Sequence, residues 1–194
     1  MDIAKVKSNL PNRNIVYYKS IDSTQNESKE LLKKSVPDGT VVIADDQTKG
    51  MGTHGRTWHT NDNSNILMTL IYFPNCNIQK TETLTIDIAK CIVEVLEKMC
   101  DVKLSIKEPN DILFNNKKLG GILTEAITCK DEVKTILIGI GLNINQEVFH
   151  DEIKDVATSL KKETNRDFDR EEIIINILNR IDTMYLGVRK NWVE

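Results

Sequence analysis

The sequence predicts an α+β domain, with antiparallel pairing among the strands of its second half. Three observations carry that expectation. Strand-like and helix-like periodicities alternate along the first hundred residues, a run of adjacent strand candidates fills 103–140, and two amphipathic patterns, at 80–100 and 169–188, offer apolar faces to cover a sheet. No repeat, low-complexity tract or obvious linker interrupts the 194 residues, so 1–194 is expected to form a single domain.

Taken in order, Asn14–Lys19 reads as a strand running into Asp22-Ser-Thr-Gln-Asn-Glu27, where Thr24 and Glu27 have capping-box spacing for a helix through about Lys34. Val36-Pro-Asp-Gly39 is a turn. Thr40–Ala44 is a short buried strand leading into a glycine-rich loop, and Asn65–Phe73 is a longer one leaving it, ended by Pro74-Asn75. From Lys80 to Cys100 a helix sets Leu84, Ile88, Ile92, Val95, Leu96 and Met99 on one face. Strand candidates follow at Lys103–Lys107, Asp111–Phe114, Leu119–Ile127 and Lys134–Ile140, with Asn115-Asn116-Lys117 as a hairpin turn, and short links of this kind imply antiparallel pairing. Ile140–Asn145 leaves the sheet. A final helix, Asp169 to about Val188, carries Ile173, Ile174, Ile177, Leu178, Ile181, Met184 and Tyr185 on its apolar side.

Hydrophobic residues make up 40 % of the chain, charged residues 28 %, and the formal net charge is −3, the composition of a soluble globular protein. No Lys/Arg block with interleaved aromatics appears, so no nucleic-acid partner is expected. No apolar stretch has the length of a signal peptide or a membrane span, which points to a cytoplasmic location and no membrane partner. Cys76, Cys91, Cys100 and Cys129 lack CxxC spacing, and His54, His59 and His150 are not at ligand spacing with them. Buried, reduced thiols are the expectation.

The loop Gln47-Thr-Lys-Gly-Met-Gly-Thr-His-Gly-Arg-Thr-Trp58 holds GxGxxG in Gly50, Gly52 and Gly55. It is not a dinucleotide fingerprint: residues 57–65 read as loop where that motif needs a helix, and the next strand ends without a ribose-binding acid. Nor does it close with the GKS or GKT of a P-loop. It can instead present N–H groups and Arg56 to an anion, while Lys107-Glu-Pro-Asn-Asp111 and Lys117-Lys-Leu-Gly-Gly-Ile-Leu-Thr-Glu125 supply an amide, a carboxylate and a lysine. Taken singly, each residue has a structural reading: Ser23 and Thr24 as helix caps, Trp58 as core, Lys118 as a solvated hairpin lysine. Their combination, order and spacing favour a site.

Asp22-Ser23-Thr24, Gln47 before GxGxxGRxW, the KxPND turn and the KLGGIL strand stand in the order of biotin protein ligases, and the chain resembles that family over roughly residues 15–145. The resemblance implies a mixed, largely antiparallel sheet with packed helices, a fold related to class II aminoacyl-tRNA synthetases and lipoate ligases. It also implies ATP-dependent attachment of biotin to a lysine of a biotin carboxyl carrier protein through biotinyl-5′-AMP, with ATP and biotin as substrates and Mg²⁺. Lys118 and Arg56 are then the catalytic cations. Ser23, Thr24, Gln25 and Gln47 match the biotin ureido positions, and Gly50, Met51, Gly52, Thr53, Lys118, Gly120 and Gly121 complete the biotin set. Gly55, Arg56, Trp58, Asn110, Asp111 and Asn143 match the ATP positions, Trp58 stacking on adenine and Asp111 holding Mg²⁺. Lys118 reaches the biotin carboxyl and α-phosphate, and the Gly50–Gly55 backbone wraps the anhydride.

Four residues depart from the family pattern. Gln25 stands where Asn is usual, Met51 and Thr53 replace arginines of GRGRxGR, and Glu108 replaces the tryptophan of KWPND. Fewer cations should retain the adenylate less tightly. Against the longest members of that family, the sequence is expected to lack both a helix-turn-helix before the Ser-Thr motif and the small C-terminal β domain, while the resemblance implies self-association as a homodimer. A biotin-binding paralogue with weak or no catalysis and a lipoate-type acyl ligase share much of this pattern.

Overall fold

The computed structural model describes residues 1–60 and 63–192; the loop expected at Asn61 and Asp62 lies outside them. The chain runs α1 (Ile3–Asn9), β1 (Ile15–Ile21), α2 (Thr24–Leu31), β2 (Thr40–Gln47), β3 (Ile66–Tyr72), β4 (Cys76–Asn77), α3 (Leu84–Cys100), β5 (Ser105–Lys107), β6 (Asp111–Phe114), β7 (Lys117–Cys129), β8 (Glu132–Leu142), α4 (Leu160–Thr164) and α5 (Arg170–Trp192). The strands form one sheet in the order β1-β2-β3-β8-β7-β6-β5, with β4 beside the start of β8. Every pair is antiparallel except β1 with β2, which needs a crossover and has α2 for it. Between β6 and β7, Asn115 and Asn116 have φ of 49° and 63°. A type I′ hairpin demands that left-handed pair, and asparagine tolerates it.

Side chains alternate across the sheet, and the two faces have different tasks. Ile66, Met68 and Leu70 of β3 and Ile136, Ile138, Ile140 and Leu142 of β8 face α3 and α5, where Ile88, Ile92, Leu96, Ile174, Ile177 and Leu178 meet them. Each such side chain, fully buried, contributes about 1.5–3 kcal/mol, so α3 and α5 are held by packing more than by helix propensity. On the opposite face α2 covers only a small cluster, in which its Leu31 packs with Val42, Ile71 and Leu137. Beyond it the same face presents Thr69, Gly121, Gly139 and Gly141. The candidate site lies on that thinly covered surface.

Several local expectations are revised. Ser23, not Thr24, caps α2, its hydroxyl accepting from the Gln25 N–H at 3.2 Å. Glu27 does not complete a capping box, because its carboxylate accepts from the Tyr18 hydroxyl at 2.7 Å. α2 stops at Leu31 and tightens into a 3₁₀ turn at Leu32–Lys34, while Ile78–Thr81 is a separate 3₁₀ turn ahead of α3. The sequence does not signal α1 or α4. The first buries only Val6 among its seven residues, and the second is five residues long, too short for a period to show. Cys76, Cys91 and Cys100 are buried free thiols pushed up by that burial, but Cys129 is exposed. Among the described residues no helix is long and apolar enough to cross a membrane.

Candidate active site

The floor of the site is a trough made by missing side chains. Gly121 of β7 stands directly opposite Gly141 of β8, and Gly139 stands between Leu123 and Thr69 in the next row on that face. Trp58 lies in the trough. A Cβ on Gly141 would come within 2.6 Å of Trp58 Cε2, and one on Gly121 within 3.3 Å of Trp58 Cζ3. At Gly139 a Cβ would meet Gln25 Oε1 at 2.8 Å. A strand otherwise rich in branched residues therefore gives up alternate side chains where other groups must reach its backbone.

Above the floor the glycine loop closes on itself as a small hairpin. The Gly52 N–H donates to the Arg56 carbonyl at 2.7 Å, the Trp58 N–H donates to the Gly50 carbonyl at 2.9 Å, and Met51 bridges Thr57. Gly50 permits this closure, since a Cβ there would sit 2.5 Å from the Trp58 carbonyl oxygen. The amides of Gly52, Arg56 and Trp58 thus serve the loop itself. This narrows the expectation that the whole Gly50–Gly55 backbone turns toward an anion. The Arg56 side chain is exposed and makes no ion pair with any described residue.

Two clefts meet at Trp58 and Lys118. The first has Ser23, Thr24, Gln25, Gln47 and Thr69 at one end and the loop residues Met51, Gly52 and Thr53 above, with Ile122 and Leu123 along its wall. The Thr24 N–H and hydroxyl both donate to Gln47 Oε1, at 2.7 and 2.9 Å. That directs the Gln47 amide nitrogen away from Thr24, toward Gly50. A hydrogen-bonded polar end with apolar walls suits a small ligand that has a polar head and a hydrocarbon chain.

The second cleft is lined by Thr53, Arg56, Trp58, Lys118 and Asn143 and walled by Ile153, Val156 and Ala157. That wall is built onto β7: the Lys118 N–H donates to the Val156 carbonyl at 2.8 Å, and the Thr158 N–H donates to the Lys118 carbonyl at 2.9 Å. The Asn143 amide pins it further by donating to the Thr158 carbonyl at 3.0 Å. Lys118 Nζ stands 2.6 Å from Asp111 Oδ1 and 5.7 Å from the Trp58 ring centroid.

Of the residues singled out in the sequence, Ser23, Thr24, Gln25, Gln47, Met51, Gly52, Thr53, Trp58, Lys118 and Gly121 gather around the first cleft. Gly120 does not. It alternates onto the core face, where a Cβ would strike Leu142 Cδ2 at 2.4 Å, so its small size serves packing. Asn110 borders the first cleft instead of the second, and its amide donates to the Ile122 carbonyl at 3.2 Å. Gly50 and Gly55 line the outer side of the loop, Asp111 sits behind Lys118 and lines neither cleft, and Glu108 is exposed away from both. Thr69, Gly139, Gly141 and the 153–157 wall escaped the sequence reading. The spacing Gly139-x-Gly141 was the available signal; the wall carries none.

Among the described residues no three His, Cys, Asp or Glu side chains converge as a metal nest. Asp111 is a lone carboxylate. It suits Mg²⁺ only where phosphate oxygens and water supply the remaining ligands, the usual situation for that ion beside a nucleotide.

The family model for the biotin/lipoate A/B protein ligases matches residues 17–143, more than half of the chain. The chain belongs to the biotin/lipoate A/B protein ligase family. Among ligases of this family it is 39 % identical over 182 residues to the bifunctional ligase/repressor BirA of Bacillus subtilis, covering 93 % of this chain and 56 % of that relative. It is 30 % identical over 158 residues to the biotin–[acetyl-CoA-carboxylase] ligase of Paracoccus denitrificans, covering 79 % of this chain and 65 % of the other. The chain thus spans little more than half the length of the first of these. The structure superposes on the biotin protein ligase from Aquifex aeolicus in complex with biotin and ATP with a TM-score of 0.76, at 33 % identity, over 91 % of this chain and 72 % of that one. The α+β fold and mixed sheet expected from the sequence are those of this ligase family.

Proposed function

We propose that this chain activates biotin with ATP and transfers it to a lysine of a biotin carboxyl carrier protein. One observation carries the reading: Lys118 and Trp58 stand where a cleft with a hydrogen-bonded end and apolar walls meets a second cleft bordered by Arg56 and Asn143. A ureido ring on a hydrocarbon chain matches the first in chemistry, and a nucleotide laid in the second would bring its α-phosphate to Lys118.

In the first step a carboxylate oxygen of biotin attacks the α-phosphorus of ATP, forming the acyl–phosphate bond and releasing pyrophosphate. Two anions must approach, and charge builds on the equatorial oxygens. Lys118 is the cation common to both clefts and can bridge them, while Arg56, exposed and unpaired with described residues, is available to the phosphates. Asp111 would hold Mg²⁺ with phosphate oxygens, and the ion when bound supplies countercharge to them. In the second step the neutral amine of the acceptor lysine attacks the acyl carbon, the amide forms, AMP leaves and a proton is released. Met51 and Thr53 put no cation above the first cleft, so adenylate retention rests on Lys118 and Arg56. This reading also carries the cytoplasmic location, where carrier and reduced thiols coexist.

The test is direct. Incubation with biotin, MgATP and a purified biotin carboxyl carrier domain should add one biotinyl group to the carrier lysine by mass spectrometry. An unmodified carrier, with ATP intact, would contradict the proposal.

A further inference from the structure

Glu125 lines neither cleft that holds Lys118, yet it ends a hydrogen-bond chain that enters the first. Gln25 Nε2 donates to Glu125 Oε2 at 2.8 Å, and Lys29, one helical turn after Gln25 on α2, holds the same oxygen at 2.8 Å. Gln25 Oε1 lies 3.1 Å from Thr69 Oγ1, which lies 2.9 Å from Thr24 Oγ1. Burial pushes the Glu125 carboxyl up, but the hydrogen bonds from Lys29 and Gln25 outweigh it and keep the group below its ordinary value.

A carboxylate only accepts, so Gln25 must turn its NH₂ to Glu125 and its carbonyl to Thr69. Thr69 has one hydroxyl proton and donates it to that carbonyl. The Thr24 hydroxyl, whose own proton goes to Gln47 Oε1, then receives nothing from Thr69 and keeps both lone pairs for the cleft. With the Gln25 amide reversed, Thr69 would accept from Gln25 and donate to Thr24, taking one of the two lone pairs that Thr24 offers the cleft. We infer that Glu125 is a positioning residue: through Gln25 and Thr69 it fixes Thr24 as an acceptor for a ureido N–H of biotin. The inference rests on the biotin reading above and assigns the outer carboxylate that orients its polar end.

Glu125→Gln can face Gln25 with either end of its amide, which removes the polarity without removing volume. The Glu125 and Lys29 side chains are 37 % and 42 % exposed, so the variant should fold. Calorimetry and pyrophosphate exchange should give a biotin Kd and KM raised about tenfold with kcat within about twofold of wild type. In a Thr69→Val background, where the chain is already cut, the added effect of Glu125→Gln should fall below about twofold. An equal factor in both backgrounds, or no change in the first, overturns the relay. Should Glu125→Gln unfold, Glu125→Ala frees the Gln25 amide in the same way, with biotin KM expected to rise about threefold and an unchanged KM overturning the relay. Wild-type protein that binds no biotin overturns the biotin reading and the relay together; wild type that binds while Glu125→Gln binds equally overturns the relay alone.

Discussion

Lys118 Nζ lies 2.6 Å from Asp111 Oδ1, so the cation shared by both clefts is already partnered before any substrate arrives. On the proposed function, binding a carboxylate and a phosphate there would be an exchange of partners: the lysine would move to the substrate anions, and the released aspartate would hold Mg²⁺ together with the phosphates.

Lys118→Met should keep the fold and lower biotin-dependent adenylation by at least about ten- to a hundredfold, the value of a lost charge-assisted contact of about 1.5–3 kcal/mol. Asp111→Asn should also lower it, and should raise the Mg²⁺ concentration needed for half-maximal rate several-fold. Pyrophosphate exchange measured across an Mg²⁺ titration separates the two variants. A Lys118→Met rate equal to wild type would remove the lysine from the reaction.

The adjacent glycines of β7 should fail in different ways. Gly120→Ala drives a Cβ into Leu142 on the core face, and such overpacking costs about 1–3 kcal/mol of stability with little effect on substrate affinity in the surviving fold. Gly121→Ala meets the flexible Lys118 Cε at 3.2 Å and the Trp58 ring at 3.3 Å, so it should fold but adenylate slowly. Gly141→Ala would drive Trp58 from its trough and shift its fluorescence. Denaturant melts alongside exchange rates report both quantities.

Ser23 caps α2 and lines the first cleft, and on the proposed function Ser23→Ala should show a loss on both counts. Loss of the α2 cap costs about 0.5–2 kcal/mol, and loss of the cleft hydroxyl weakens biotin binding. Ser23→Gly restores most of the stability, since glycine caps nearly as well, but not the affinity. Affinity recovered by glycine would show that the residue acts only as a cap.

Acid should loosen the clasp between the second cleft's wall and the β6–β7 turn. Burial pushes Glu163 up, but hydrogen bonds from Thr158 and Asn115 outweigh it and hold its carboxyl below the ordinary 4.5. A depressed folded pKa stabilises above the unfolded value and loses that contribution as pH falls through the folded one. Wild type should therefore melt higher than Glu163→Gln at pH 7, with the gap closing only below about pH 4.5. A gap constant down to pH 3 would contradict this.

The sheet was legible because its strands carry their period and turns in plain view: Val41–Ala44, Ile66–Tyr72 and the Asn115-Asn116 corner need no tertiary knowledge. The two large helices were legible for the same reason, through Leu84–Leu96 and Ile173–Ile181. The site was legible in composition but not in orientation. Whether Gly120 or Gly121 faces the cleft depends on strand parity relative to the core, which single residues do not reveal. Thr69 and Glu125 lie on β3 and β7, and only the strand register and α2 bring them beside Gln25. α1, α4 and the 153–157 wall depend on contacts with β7, β8 and α5, and leave no local period.

The measurement that tests the central claim most directly is exchange of labelled pyrophosphate into ATP, with Mg²⁺ and with biotin, lipoate, octanoate or no acyl acid. It reads adenylation without the acceptor protein. The account predicts exchange that requires biotin and is lost in Lys118→Met. No exchange from folded protein that binds biotin, or exchange supported equally by lipoate, would contradict it.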